Sequence, residues 1–278
     1  MRCSLAAADR LAPRQTANLV SQRLFRLPKG PQARLREPAP AGSKEFTLDY
    51  DGRLLRGWEW GTSDRLLYVT HGWAGCIGDM NHVAEAAVKA GWRVIGVDGP
   101  SHGNSGPSLR GERYSSFVEM AGAIQTVMEN FGPPDAIAAH SMGALNITYA
   151  MRQLNVAPQR IAFFAPFLGG EAFRRGIREG VGVGPATMHY LRPMAEAQLG
   201  AAPTEASLLH NPIDVPTFVV HDRGDRAHHW SNSQALAENW PQAQLLVTHG
   251  LGHRKILREP ETIGPAIRFL DSAAGKHT

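Results

Sequence analysis

Cysteine is nearly absent: Cys3 and Cys76 are the only two in 278 residues, too few for a disulfide framework, and a bond between them would tie a terminus to the interior. Both are read as thiols of a reducing, cytoplasmic compartment. No run of about 18 apolar residues occurs, which leaves no candidate for a membrane-spanning helix. Charged residues are sparse at 19%, against 43% apolar, the balance of a globular chain and not of a disordered one. No G-x-x-x-x-G-K-[ST] phosphate loop is present, and Gly180-Val181-Gly182-Val183-Gly184 has neither the spacing nor the preceding strand of a dinucleotide site. Histidine is plentiful at twelve. Yet the densest group, His221, His228 and His229, comes without H-E-x-x-H or Cys/His ligand spacing, so no metal is assigned.

The net charge of +4 is unevenly placed. Residues 1–40 hold eight Lys/Arg and two Asp/Glu, whereas the rest of the chain holds 21 and 23. The body therefore carries no electrostatic footprint for nucleic acid. Residues 1–40 read as a basic amino-terminal arm, with an amphipathic helix near 15–26 and a proline linker at Pro28, Pro31, Pro38 and Pro40. Packing of its apolar face on the body is the preferred reading. Association with an anionic membrane surface and an Arg-rich transit peptide are the alternatives.

Residues 41–278 read as one α/β domain. Phe46–Tyr50 and Leu54–Trp60 flank an Asp51-Gly52 turn, a β-hairpin signature. Short apolar strands follow at Leu66–Thr70, Trp92–Val97, Ala136–Ala138, Ile161–Phe164, Thr217–His221 and Leu245–Thr248, with helical stretches at 80–90, 115–131 and after Ser141. Such alternation implies a mostly parallel, doubly wound sheet. It stops between residues 167 and 214, a stretch too long for a plain loop, read here as a small helical lid.

Chemistry concentrates where strands end. Ala139-His140-Ser141-Met142-Gly143 joins a strand directly to a helix through a polar residue with small neighbours two positions away on each side. That is the pattern of a nucleophile elbow, with Ala139 where glycine is usual. A serine nucleophile needs a base, an acid to orient it, and donors for the oxyanion. Both Asp222 and Asp225 follow the Thr217–His221 strand, and Asp225, beyond a glycine that lets the loop fold back, is preferred as the acid. Of His249 and His253, His253 lies beyond Gly250-Leu251-Gly252 and is preferred as the base. The oxyanion donors are the backbone N–H groups of Met142 and of Trp73, the latter in the His71-Gly72-Trp73-Ala74-Gly75 loop.

His71-Gly72-Trp73, Asp98-Gly99-Pro100-Ser101-His102-Gly103-Asn104-Ser105, Ala139–Gly143, Asp225 and Gly252-His253 stand in an order that resembles the α/β-hydrolase superfamily over residues 46–272, in particular its small bacterial esterase-like members. The Asp98–Ser105 loop is similar to the D-x-P-G-H-G-x-S segment found there, with Ser101 in place of a glycine, and the resemblance implies that it shapes the site. The expectation is a cofactor-free serine hydrolase cleaving a small or medium carboxylic ester, with Ser141, His253 and Asp225 as triad. Met188, Tyr190 and Leu191 are expected to line an apolar acyl pocket. Thioesterase, carbon–carbon bond hydrolase and acyltransferase use the same triad and stay open, and a non-catalytic ligand-binding protein of the same fold is the rival from another class. Serine at position 141 argues against the carboxylate-nucleophile relatives.

Overall fold

A computed structural model describes residues 8–28, 41–170, 175, 177–178, 181–199, 201 and 204–272. Cys3, the linker prolines Pro31, Pro38 and Pro40, and Gly180 lie outside the described residues. The strands are β1 Ser43–Tyr50, β2 Arg53–Trp60, β3 Leu66–Thr70, β4 Arg93–Val97, β5 Ala136–His140, β6 Arg160–Phe164, β7 Thr217–Asp222 and β8 Ala243–Thr248. The helices are α1 Pro13–Leu24, α2 Asn81–Lys89, α3 Phe117–Phe131, α4 Met142–Leu154, α5 Pro185–Leu199, α6 Ser231–Asn239, α7 Gly252–Lys255 and α8 Pro260–Asp271. Helices α6, α7 and α8 go beyond the elements the sequence patterning identified.

One eight-stranded sheet runs in the order β1-β2-β4-β3-β5-β6-β7-β8. The β1–β2 hairpin closes through Asp51 and Gly52, both at positive φ (50° and 73°), the twist that a two-residue hairpin turn requires. β2 pairs antiparallel with β4, and every pairing from β4 to β8 is parallel. Parallel strands need crossover helices, and those helices bury both faces of the sheet.

The two-residue alternation of the strands divides the core into two layers. Tyr68, Ile95, Ile137, Phe163 and Val219 face α3, α4 and the Leu236–Trp240 end of α6. Their neighbours Val69, Val94, Ala138, Phe164 and Val220 face α2 and α8. Each large aliphatic or aromatic side chain fully buried in this way contributes about 1.5–3 kcal/mol. The central strands therefore form the rigid floor from which the β3, β4, β5, β7 and β8 loops rise.

The described part of the amino-terminal arm packs against the insertion between β6 and β7. Ala17 of α1 meets Ile177, Val183 and Leu191, with Val20, Leu24, Met188 and Met194 around them. Gly184 stands so near the Asp9 carboxylate that a Cβ there would come within 2.2 Å of Oδ2, and Asp9 Oδ1 accepts the Thr187 backbone N–H at 2.7 Å.

Candidate active site

Ser141 sits between the last residue of β5 and the first of α4, at φ 52° and ψ −121°. A non-glycine residue in that region is strained and persists only where its surroundings impose it. Here they do: Ser141 N–H donates to Phe164 O at 3.0 Å, and its carbonyl accepts from Phe167 N at the same distance. Gly143 and Gly72 leave room for the bend. A Cβ on Gly143 would lie 2.7 Å from His71 O and 2.8 Å from Thr70 O, and one on Gly72 would lie 2.9 Å from Ser141 Cβ. Ala139, the departure from the usual glycine, is fully buried in β5 with its methyl in the core.

Asp225 and His253 come together across 28 residues of chain. His253 Nδ1 lies 2.7 Å from Asp225 Oδ2. The carboxylate has three further partners. Ala227 N and His228 N donate to Oδ1 at 2.7 and 3.0 Å, and His221 Nε2 lies 3.2 Å from Oδ2. Burial pushes this carboxyl up, but the bonds from His221, His253 and the His228 N–H outweigh it and hold the group well below the usual carboxylate range. Asp222 instead braces the loops, accepting from Gly224 N, Leu251 N and Thr248 Oγ1. His249 is exposed at the end of β8.

Three more histidines surround this pair. His140 Nε2 lies 2.9 Å from the His253 carbonyl oxygen, so Nε2 carries the proton and donates, tying β5 to α7. Burial, and then the neighbouring His253, push the His140 imidazole down to about 3, which keeps it neutral. His221 is fully buried, with Nε2 between two acceptors, Asp225 Oδ2 and His228 O, and Nδ1 2.6 Å from Ser233 Oγ. Its Nε2 therefore bears a proton directed at the carboxylate. The His228 ring packs edge-on to His253 at 5.1 Å. Sequence reading placed His221 and His228 only in a discounted metal cluster. The apolar strand that leads into His221 was the available signal that it is buried and must be hydrogen-bonded.

The β3 and β4 loops are locked to one another. His71 Nε2 accepts the Gly99 N–H at 3.1 Å while Nδ1 faces Gly72 O at 2.8 Å. His102 Nε2 accepts the Ala74 N–H at 3.2 Å. Asp98, buried and pushed up by that burial, accepts from Ile77 N and Asn104 N. Ser101 occupies φ 61°, which explains why glycine suits that position elsewhere. The loop thus positions the Trp73 backbone. Among the described residues, neither the Trp73 nor the Met142 backbone N–H is spent on another hydrogen bond.

Ser141, His253, Trp73 and Met142 all open onto one cavity of about 1250 Å³. No hydrogen bond joins the Ser141 hydroxyl to His253 in this structure, and such bonds commonly tighten only once substrate is bound. Met188 and Leu191, one helical turn apart on α5, line the cavity with Leu145, Phe117 and Ile177. Tyr190 does not. It lies off the helix face shared by Met188 and Leu191, 38% exposed beside His189, and the expectation that it lines the pocket is corrected. Leu24 and Phe25 of the arm line the cavity too, a contribution that sequence reading missed.

Residues 61–179 match the family described as serine aminopeptidase, S33. Two curated relatives, both named dihydrolipoyllysine-residue acetyltransferase component of acetoin cleaving system, are 30% identical. The protein from Cupriavidus necator aligns over 58% of this chain and 41% of its own length. The one from Pseudomonas putida aligns over 76% and 65%, so the match spans less than two thirds of either relative. Among solved structures, the esterase RhEst1 from a Rhodococcus species superposes with a TM-score of 0.60 at 20% identity, over 83% of this chain and 99% of its own. By its sheet order, its strained serine turn and this superposition, the chain has the α/β-hydrolase fold.

Proposed function

We propose that the protein is a serine hydrolase that cleaves a carboxylic ester through an acyl-enzyme intermediate. The observation that carries this reading is that the strained Ser141 and His253, the latter bonded to a buried, ionised Asp225, line one largely apolar cavity. With Nδ1–H held by Asp225, His253 presents Nε2 as an acceptor. It takes the Ser141 proton as Oγ attacks the acyl carbon, and Asp225 stabilises the imidazolium that forms. Charge developing on the carbonyl oxygen meets the Met142 and Trp73 N–H groups. Collapse of the adduct breaks the ester C–O bond as His253 returns the proton to the departing alkoxide. Water, deprotonated by the same imidazole, then releases the acid.

Met188 and Leu191 give the acyl chain apolar contacts, and α5 acts as the lid over it. The test is a panel of acyl esters and thioesters of graded length with wild type and Ser141→Ala. Hydrolysis of esters that the variant loses supports the reading, and equal rates with both proteins refute it.

The names of the curated relatives favour a second reading, transfer of the acyl group to an acceptor other than water. Adding a thiol or alcohol during turnover separates the two. Acyl transfer gives a new thioester or ester in place of the free acid.

A further inference from the structure

We infer that the end of the amino-terminal arm, Leu24 with Phe25, is the wall that sets how long an acyl chain the cavity accepts. The inference rests on the reading of that cavity as the acyl site. It concerns residues well upstream of the segment matched to the family, 61–179.

Leu24 and Phe25 line the cavity together with Ser141 and with Met188 and Leu191 of α5. The side chains are held from three directions. Phe25 is 5% exposed and belongs to the main core layer, whereas Leu24 touches both that layer and the smaller cluster between α1 and α5. The backbone around them is pinned to residues 113–115. Ser115 N donates to Phe25 O at 3.1 Å and Leu27 N to Arg113 O at 2.7 Å, while Arg113 Nη2 donates to Leu27 O at 2.8 Å. Tyr114 OH adds a bond to Gln22 O at 3.2 Å. At the far end of the arm, the Asp9 carboxylate accepts the Thr187 N–H at the start of α5.

This anchoring gives the wall its selectivity. A side chain on a mobile tail would yield to a longer substrate, but one fixed by the core and by backbone bonds at both flanks blocks it. Leu24, half-buried and part of the cavity lining, can change size without emptying the core. Phe25, in the core, cannot.

The experiment compares wild type, Leu24→Ala and Leu24→Trp on p-nitrophenyl esters from butyrate to dodecanoate, with Leu19→Ala on the exposed outer face of α1 as control. In a second measurement, the linear carboxylic acids of the same series displace 1-anilinonaphthalene-8-sulfonate from the cavity, a readout that needs no turnover. The account predicts that Leu24→Trp moves the optimum to shorter chains and Leu24→Ala to longer ones. Exclusion of two methylenes lowers kcat/KM for the longest accepted ester about tenfold relative to butyrate. Leu19→Ala should keep the wild-type profile. A merely structural role would scale all chain lengths equally. An unshifted or uniformly scaled profile in Leu24→Ala and Leu24→Trp, in turnover and displacement alike, overturns the inference. A shifted displacement profile without any Ser141-dependent hydrolysis would retain the wall and refute the hydrolase.

Discussion

Replacing Asp225 by asparagine probes the site at its most connected atom pair. The carboxylate accepts from His253 Nδ1 and His221 Nε2 on Oδ2, and from Ala227 N and His228 N on Oδ1. An amide has one acceptor oxygen. The two backbone N–H groups cannot change character, so that oxygen stays with them and the NH₂ faces the histidines. His253 must then accept at Nδ1, which moves its proton to Nε2 and leaves nothing to receive the Ser141 proton. Loss of the correct tautomer in other serine triads lowers kcat by about 10⁴, equivalent to about 5.5 kcal/mol in the barrier. Folding should suffer less, by about 1.5–3 kcal/mol for the charged hydrogen bonds that are weakened. Initial rates on the best ester of the panel, beside a thermal melt, measure both. A folded Asp225→Asn protein that keeps more than a tenth of wild-type kcat would show that Asp225 does not set the state of His253.

Three further outcomes follow from the same geometry. Gly143→Ala drives a methyl against the His71 and Thr70 carbonyl oxygens, and should cost about 1–3 kcal/mol in unfolding experiments together with most ester hydrolysis. His221→Phe removes an N–H from Asp225 without reaching the cavity, so kcat should fall about tenfold with KM unchanged, and a KM-led loss would contradict a positioning role. Buried neutral histidines make stability fall with acid. His102 and His140 are pushed by burial from 6.5 to about 3, so as pH drops the unfolded chain takes protons first. Each should cost about 2 kcal/mol of stability between pH 7 and pH 5. His140→Gln should flatten that slope in melts, and an unchanged slope would place the acid sensitivity elsewhere.

The site's legibility depended on how local its causes were. The elbow was readable because a strained turn demands small neighbours at fixed offsets, and Gly143 meets that demand within the same five residues. Asp225 and His253 could be preferred over Asp222 and His249 because glycine-containing loops carry the former pair back over the sheet, while Asp222 is consumed by its own loop. The roles of His221 and His228 depend instead on how residues 222–230 fold back on β7, which no spacing rule encodes. Tyr190 is out of phase with Met188, Leu191 and Ala195, the side of α5 that lines the cavity. The arm's entry into the cavity arises from packing between α1 and α5, separated by more than 150 residues, and from main-chain bonds to residues 113–115. The arm's amphipathic pattern pointed to packing on the body but not to the element that receives it.

The central claim concerns the reactivity of one hydroxyl, and a fluorophosphonate probe tests it most directly. Incubated with folded protein and followed by intact-mass and peptide analysis, the probe should form a single adduct on Ser141 that is lost in Ser141→Ala and strongly slowed in His253→Ala. Folded wild type that stays unlabelled, or an adduct on another residue, would contradict the account.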